Sequence, residues 1–175
     1  MINDDMNFDD DNLSMLILKD DLLGNLLIGT EANLEKEQYD KVIERLSDYV
    51  EKEKYQTSQV YFMVEYYMGQ AIFRKEFTKK LRERNLKRKV RNFSKAIGYL
   101  ENALELQPDY LDAKLMLGLV CMAMAGLIER EHYHQKAKTL FEDCVLNGNG
   151  FKKVFAKERL EFLSNQDQTK HDQTL

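Results

Sequence analysis

Thirty carboxylates, three histidines and two cysteines are the side chains through which this chain of 175 residues could do chemistry. Two histidines have acidic neighbours at a helical step: Glu129 stands three residues before His132, and Glu131 three before His134. On a helix that spacing sets a carboxylate beside an imidazole, as in metal-holding bundles, where each such pair is matched by others on facing helices. No second set occurs in the chain, and His171 stands apart from both pairs, so neither a metal nor any other cofactor is expected. Cys121 and Cys144 lack CxxC spacing and lie among apolar residues. Reduced core thiols of a cytoplasmic protein are the expectation, with a disulfide between them as the lesser alternative. Gly148 and Gly150 follow an apolar helical pattern, so they read as a turn rather than a phosphate-binding loop. With neither GxSxG nor HExxH present, an enzyme is the third-ranked reading, and the leading one is non-catalytic.

Charge is the second chemical resource. From Arg74 to Lys95 there are eleven basic residues against two acidic ones, a local charge of +9 within a chain of net charge −4. The densest part holds Lys79, Lys80, Arg82, Arg84, Lys87, Arg88, Lys89 and Arg91. Clustered cations repel one another, so either they are separated by solvent on a helix surface or something anionic offsets them. An acidic protein segment, nucleic-acid phosphates and an anionic surface are the candidates. Nucleic acid ranks lower, because no aromatic residue is interleaved with the cations after Phe77 and the whole protein is acidic, with a pI of about 5.5. Within the chain itself, the nearest anion is the arm of residues 1–11, with Asp4, Asp5, Asp9, Asp10 and Asp11. That start is the opposite of a basic secretory signal. The arm is too acidic and too poor in apolar groups to fold by itself, and is read as flexible.

The elements that must position these groups are helices. One proline and eight glycines are few, and Leu, Lys, Glu and Ala abound, which favours helix throughout. Leu13, Leu16, Ile17, Leu23, Leu26 and Leu27 recur at helical steps up to Gly29, where that helix is expected to end. A second helix is expected over 36–53 and a third over 60–77, the latter apolar nearly all round and hence buried on more than one side. Thr57 or Ser58 can cap its start. The third helix projects past Arg74 and turns back near Asn85, giving a basic insertion over about 74–92. A fourth helix, 93–106, is stopped by Pro108, and Asp109 caps a fifth over 110–128. The longest apolar run, 115–128, falls short of the roughly 20 residues of a membrane span, and a core helix explains it. A sixth helix covers 131–146. The seventh, 151–163, turns Val154, Phe155, Leu160 and Leu163 inward and Lys152, Lys153, Lys157 and Glu161 outward. Residues 164–175 are read as a polar, disordered tail, leaving 12–163 as the helical domain.

These helices fall into hairpins, and the hairpins can be compared. Lys95-Ala96-Ile97, Leu100, Ala103-Leu104-Glu105-Leu106 and Pro108 resemble the second helix of a tetratricopeptide repeat (TPR), with Ala96, Leu100, Ala103 and Pro108 on the signature positions. Leu117-Gly118 is similar to the Leu-Gly pair of the next first helix, with Cys121 where an aromatic is usual, and Ala137, Phe141 and Cys144 continue the pattern. Met68-Gly69 with Ile72 fits the middle unit, and Leu23-Gly24 with Leu27, followed by Val42, Leu46 and Tyr49, a weaker first one. The resemblance covers about residues 13–146. It departs from the family between Ile72 and Ala96, where the basic insertion makes the connection about fifteen residues longer than the family needs.

The fold that this resemblance implies is all-α: a right-handed superhelix of about three hairpins, with the seventh helix as its C-terminal cap. The function it implies is a protein-protein interaction scaffold, an adaptor or a chaperone for one client, holding a peptide or helix of a partner in a concave groove. The groove would present Leu18, Asp21 and Asn25, then Met63, Tyr66, Tyr67, Gln70, Phe73 and Arg74, then Asp112, Leu115, Met116, Leu119 and Met122. The Lys, Asn and Arg set with which part of the family grips a C-terminal carboxylate is missing. An aromatic and methionine-rich lining suits an apolar or amphipathic segment. The competing reading is that these side chains face the core.

Overall fold

A computed structural model describes residues 23–50, 52, 56–79, 85–128 and 131–172, with side chains as far as 165. Among those residues there are seven helices and no strand: α1 Gly24–Glu35, α2 Tyr39–Val50, α3 Tyr61–Phe77, α4 Leu86–Leu106, α5 Leu111–Ile128, α6 Glu131–Asn147 and α7 Gly150–Asp172. The all-helical expectation holds. The acidic arm of residues 1–11, the helix expected over residues 13–22, and Lys80, Arg82 and Arg84 all lie outside the described residues.

Local chemistry sets most of the boundaries. Glu37 takes a left-handed φ of 55° in the tight turn between α1 and α2. Ser58 Oγ accepts the Val60 N–H at 3.2 Å in the turn ahead of α3, but the expected cap by Thr57 or Ser58 does not form, the N-cap being Val60. Gln107, held before Pro108, leaves the helical region at φ −138° and ψ 86° and so ends α4. After α6, the Gly148 N–H returns to the Cys144 carbonyl at 2.9 Å, and Gly150 takes φ +46°.

The expected bounds of four helices differ. α2, expected over 36–53, runs only over Tyr39–Val50, since the turn at Glu37 takes up its expected start. α1 does not stop at Gly29 but continues through it to Glu35, because Thr30 and Leu34 beyond it are buried and Thr30 Oγ1 donates back to the Leu26 carbonyl at 2.8 Å. α4 starts at Leu86 rather than 93, so the later part of the basic insertion is helix, fixed there by a buried Lys89. α7 runs to Asp172, nine residues past the expected end at 163. Its roll differs as well. Ala156 and Leu163 are its fully buried residues, Val154 is 56% exposed, and Lys152 turns in to meet Asp112 of α5 at 2.9 Å.

Each helix packs on the next, and the odd-numbered helices also touch in succession, α1 on α3, α3 on α5 and α5 on α7. Two of the hairpins close on the same device. A Cβ at Gly69 of α3 would stand 2.7 Å from Leu100 Cγ and 3.0 Å from the Ala96 carbonyl of α4, and one at Gly118 of α5 would stand 2.7 Å from Phe141 Cε1 of α6. Around these contacts Phe93, Leu100, Leu117, Val120, Met124 and Phe141 are buried almost completely, each large side chain contributing about 1.5–3 kcal/mol by leaving water. Ion pairs tie helices together at the edges: Lys75 with Asp40, Lys136 with Glu101, and Lys114 with Asp143 at 2.5 Å. The 18 residues of α5, with mean hydropathy 1.8, are long and apolar enough to cross a membrane, and 44% of them are buried inside the fold.

Candidate protein-interaction surfaces

Of the fourteen groove residues expected from the sequence, Leu18 and Asp21 lie outside the described residues, Asn25 is exposed on α1 and Leu115 is buried, and the other ten separate into two groups. Met63, Tyr66, Tyr67, Gln70 and Phe73 of α3 and Met116 of α5 are buried. They belong to the core and do not line an open groove: α1, α2, α4 and α5 all pack on α3, and the Phe73 ring lies 5.1 Å from that of Phe93 of α4. Tyr110, just ahead of α5, sets its ring edge-on to Phe62 at 5.0 Å and to Tyr66 at 5.1 Å, and Tyr66 lies 5.1 Å from Tyr67. Gln70 Nε2 donates to the Tyr66 hydroxyl at 3.3 Å. Burial pushes the hydroxyls of Tyr66, Tyr67 and Tyr110 well above the ordinary tyrosine value, with the nearby Asp112 and Glu31 carboxylates adding to it. Asp112 is half-buried and engaged by Lys152. Arg74 is exposed, and Leu119 and Met122, packed against the core, keep part of their surface in solvent. Phe77, 60% exposed, lies one turn beyond Phe73, with the two rings 5.1 Å apart.

The basic stretch also divides. Glu76, 3% exposed at the end of α3, anchors part of it. Lys79 Nζ meets one Glu76 oxygen at 2.6 Å, and Arg88 Nε lies 3.6 Å from the other. Lys89, itself buried, donates from Nζ to the Lys79 carbonyl at 2.7 Å. Burial alone pushes the Glu76 carboxyl up, but the hydrogen bond and charge of Lys79 and the charge of Arg88 outweigh it and hold the group below its ordinary value. Lys79, Arg88 and Lys89 are thus partly structural. Lys87, Arg91 and Lys95 are exposed on α4.

The sequence reading missed one surface. Phe151, Val154 and Phe162 of α7 are 77%, 56% and 47% exposed, and Phe155 beside them carries the Arg159 guanidinium 4.7 Å above its ring. Their spacing, four residues from Phe151 to Phe155 and seven more to Phe162, was the available signal. α7 carries two apolar stripes, and only packing decides which one turns inward.

The residues with chemical potential are dispersed. Cys121 and Cys144 are buried and free, and burial pushes both thiols up to about 12. Cys144 lies against the Leu111 carbonyl at 4.0 Å, and Cys121 stands in the middle of α5. His132 is exposed with its ring centre 3.9 Å from that of Tyr133, while His134 is buried. Among the described residues no group of three or more His, Cys, Asp or Glu is placed to hold a metal ion. Compared with family models, with curated proteins and with solved structures, the chain finds no match.

Proposed function

We propose that this chain is a non-catalytic cytoplasmic scaffold of the TPR type, a right-handed superhelix of about three hairpins capped by α7, that binds a segment of another protein. The observation that carries the reading is the repeated glycine contact. Gly69 with Leu100 and Gly118 with Phe141 each close one of two consecutive hairpins at an equivalent place, in a chain where alternate helices also touch in order. A stack built from such units gains stability from neighbour contacts and leaves the face of its first helices to a ligand. In this chain α1, α3 and α5 are those helices.

The binding face rests on fewer residues than the sequence pattern offers. Arg74 and Phe77 of α3 with Leu119 and Met122 of α5 are the accessible ones, and together they suit an amphipathic segment with apolar anchors and an acidic flank. Affinity purification from the native cell tests this with two chains, the wild type and Arg74→Glu/Leu119→Lys/Met122→Lys. A protein recovered by the wild type and lost from the variant, at unchanged helicity in circular dichroism, is expected. Identical recovery by both chains overturns the reading.

A further inference from the structure

We propose that the outer face of α4 is a second docking site, separate from the inner face of the odd helices, and that its ligand is an acidic segment of a partner protein. Lys87, Arg91 and Lys95 are exposed and spaced one turn apart, with Arg88 beside them, so three cations line up at intervals of about 6 Å along the helix. No acidic residue occurs on α4 before Glu101. Four lysines elsewhere on the fold, Lys75, Lys114, Lys136 and Lys152, each meet a carboxylate of another helix. Lys87, Arg91 and Lys95 form no ion pair among the described residues. Lys87 also stands in the first turn of α4, at the positive end of the helix macrodipole and with no acidic side chain in that turn, which costs stability until an anion approaches.

The stripe is held in place from beneath. Glu76, Lys79 and Lys89 join the start of α4 to the end of α3, so the cations are presented on a fixed helix. Past Lys95 the track stays open, since a Cβ on Gly98 would meet nothing within 4 Å. Carboxylates four residues apart on a partner helix recur at the same interval of about 6 Å and can answer all three cations together. Bases of a nucleic acid would find no ring to stack on along this part of α4, where the exposed residues between Lys87 and Gly98 are Lys87, Arg88, Arg91, Ser94 and Lys95. A membrane would find no large apolar side chain there to insert.

Fluorescence anisotropy with the full chain tests the proposal, using labelled poly-L-glutamate, an oligothymidylate of equal charge, and phosphatidylserine-containing vesicles. Polyglutamate is expected to bind most tightly and to weaken as salt is raised. Lys87→Glu/Arg91→Glu/Lys95→Glu should weaken it by about tenfold or more, with the Gln triple variant in between, while Lys36→Glu/Lys41→Glu/Lys157→Glu, which makes the same change of charge elsewhere, stays within about twofold. Tighter binding of either other anion, equal loss in the control, or no saturable binding overturns the proposal. So does binding that emerges only when Asp4, Asp5, Asp9, Asp10 and Asp11 are replaced by Asn, which would assign the stripe to the chain's own arm. The purification of the previous section reads a different face and fails independently.

Discussion

Two glutamates of α3 show how environment divides one residue type. Glu65 is buried and accepts from the Tyr61 hydroxyl at 3.2 Å and from Asn102 Nδ2 at 3.4 Å, and burial raises its carboxyl above 4.5 despite both hydrogen bonds. Its titration favours the fold fully below 4.5, and that contribution is lost as pH rises through the raised value. Glu76 is the reverse: held below 4.5 by Lys79 and Arg88 against the pull of burial, it favours the fold above 4.5 and loses that contribution as pH falls through its lowered value. Urea unfolding at pH 7 should therefore find Glu65→Gln as stable as the wild type or more so, and Glu76→Gln weaker by about 1–3 kcal/mol. Both differences should shrink in acid below 4.5. The same sign for both variants at pH 7 would contradict this. Neither environment was legible in the sequence, where Glu76 was only one of two acids in a basic run and Glu65 one polar residue in an apolar helix.

Glycines test the hairpins as elements. Gly69 and Gly98 both sit inside helices, yet a Cβ at the first meets Leu100 and the Ala96 carbonyl, and at the second meets nothing. Gly69→Ala is expected to lose about 1–3 kcal/mol by overpacking, and Gly98→Ala to gain about 0.5–1 kcal/mol from helix propensity alone. Equal effects in thermal unfolding would remove the close contact from the account. The Met68-Gly69 and Leu117-Gly118 pairs marked these contacts in advance, because a small residue between apolar stripes has a packing reason. The start of α4 was less legible. Leu, Lys and Arg all favour helix there, but the charge of Lys87 to Arg91 hid it, and burial of Lys89 depends on a carbonyl ten residues earlier. The roll of α7 depends in the same way on a contact distant in sequence, Lys152 with Asp112.

At the scale of the molecule, order along the chain becomes order in space: consecutive helices pack as neighbours and the odd ones form a row. That much periodicity could foresee, since short connections force adjacent helices together. The binding face was less visible. A stripe of Tyr and Met reads the same whether it lines a groove or fills a core, and only the packing of the helices around it put Tyr66, Tyr67 and Met116 inside while leaving Arg74 exposed and Leu119 and Met122 half-buried. The two proposed surfaces differ in chemistry, a partly apolar one on the odd helices and a basic one on α4. The most direct test of the scaffold reading is backbone hydrogen exchange on the chain alone and with the purified partner. Added protection is predicted in the last turns of α3 and the second half of α5, around Arg74, Phe77, Leu119 and Met122. A partner that leaves exchange there unchanged contradicts it.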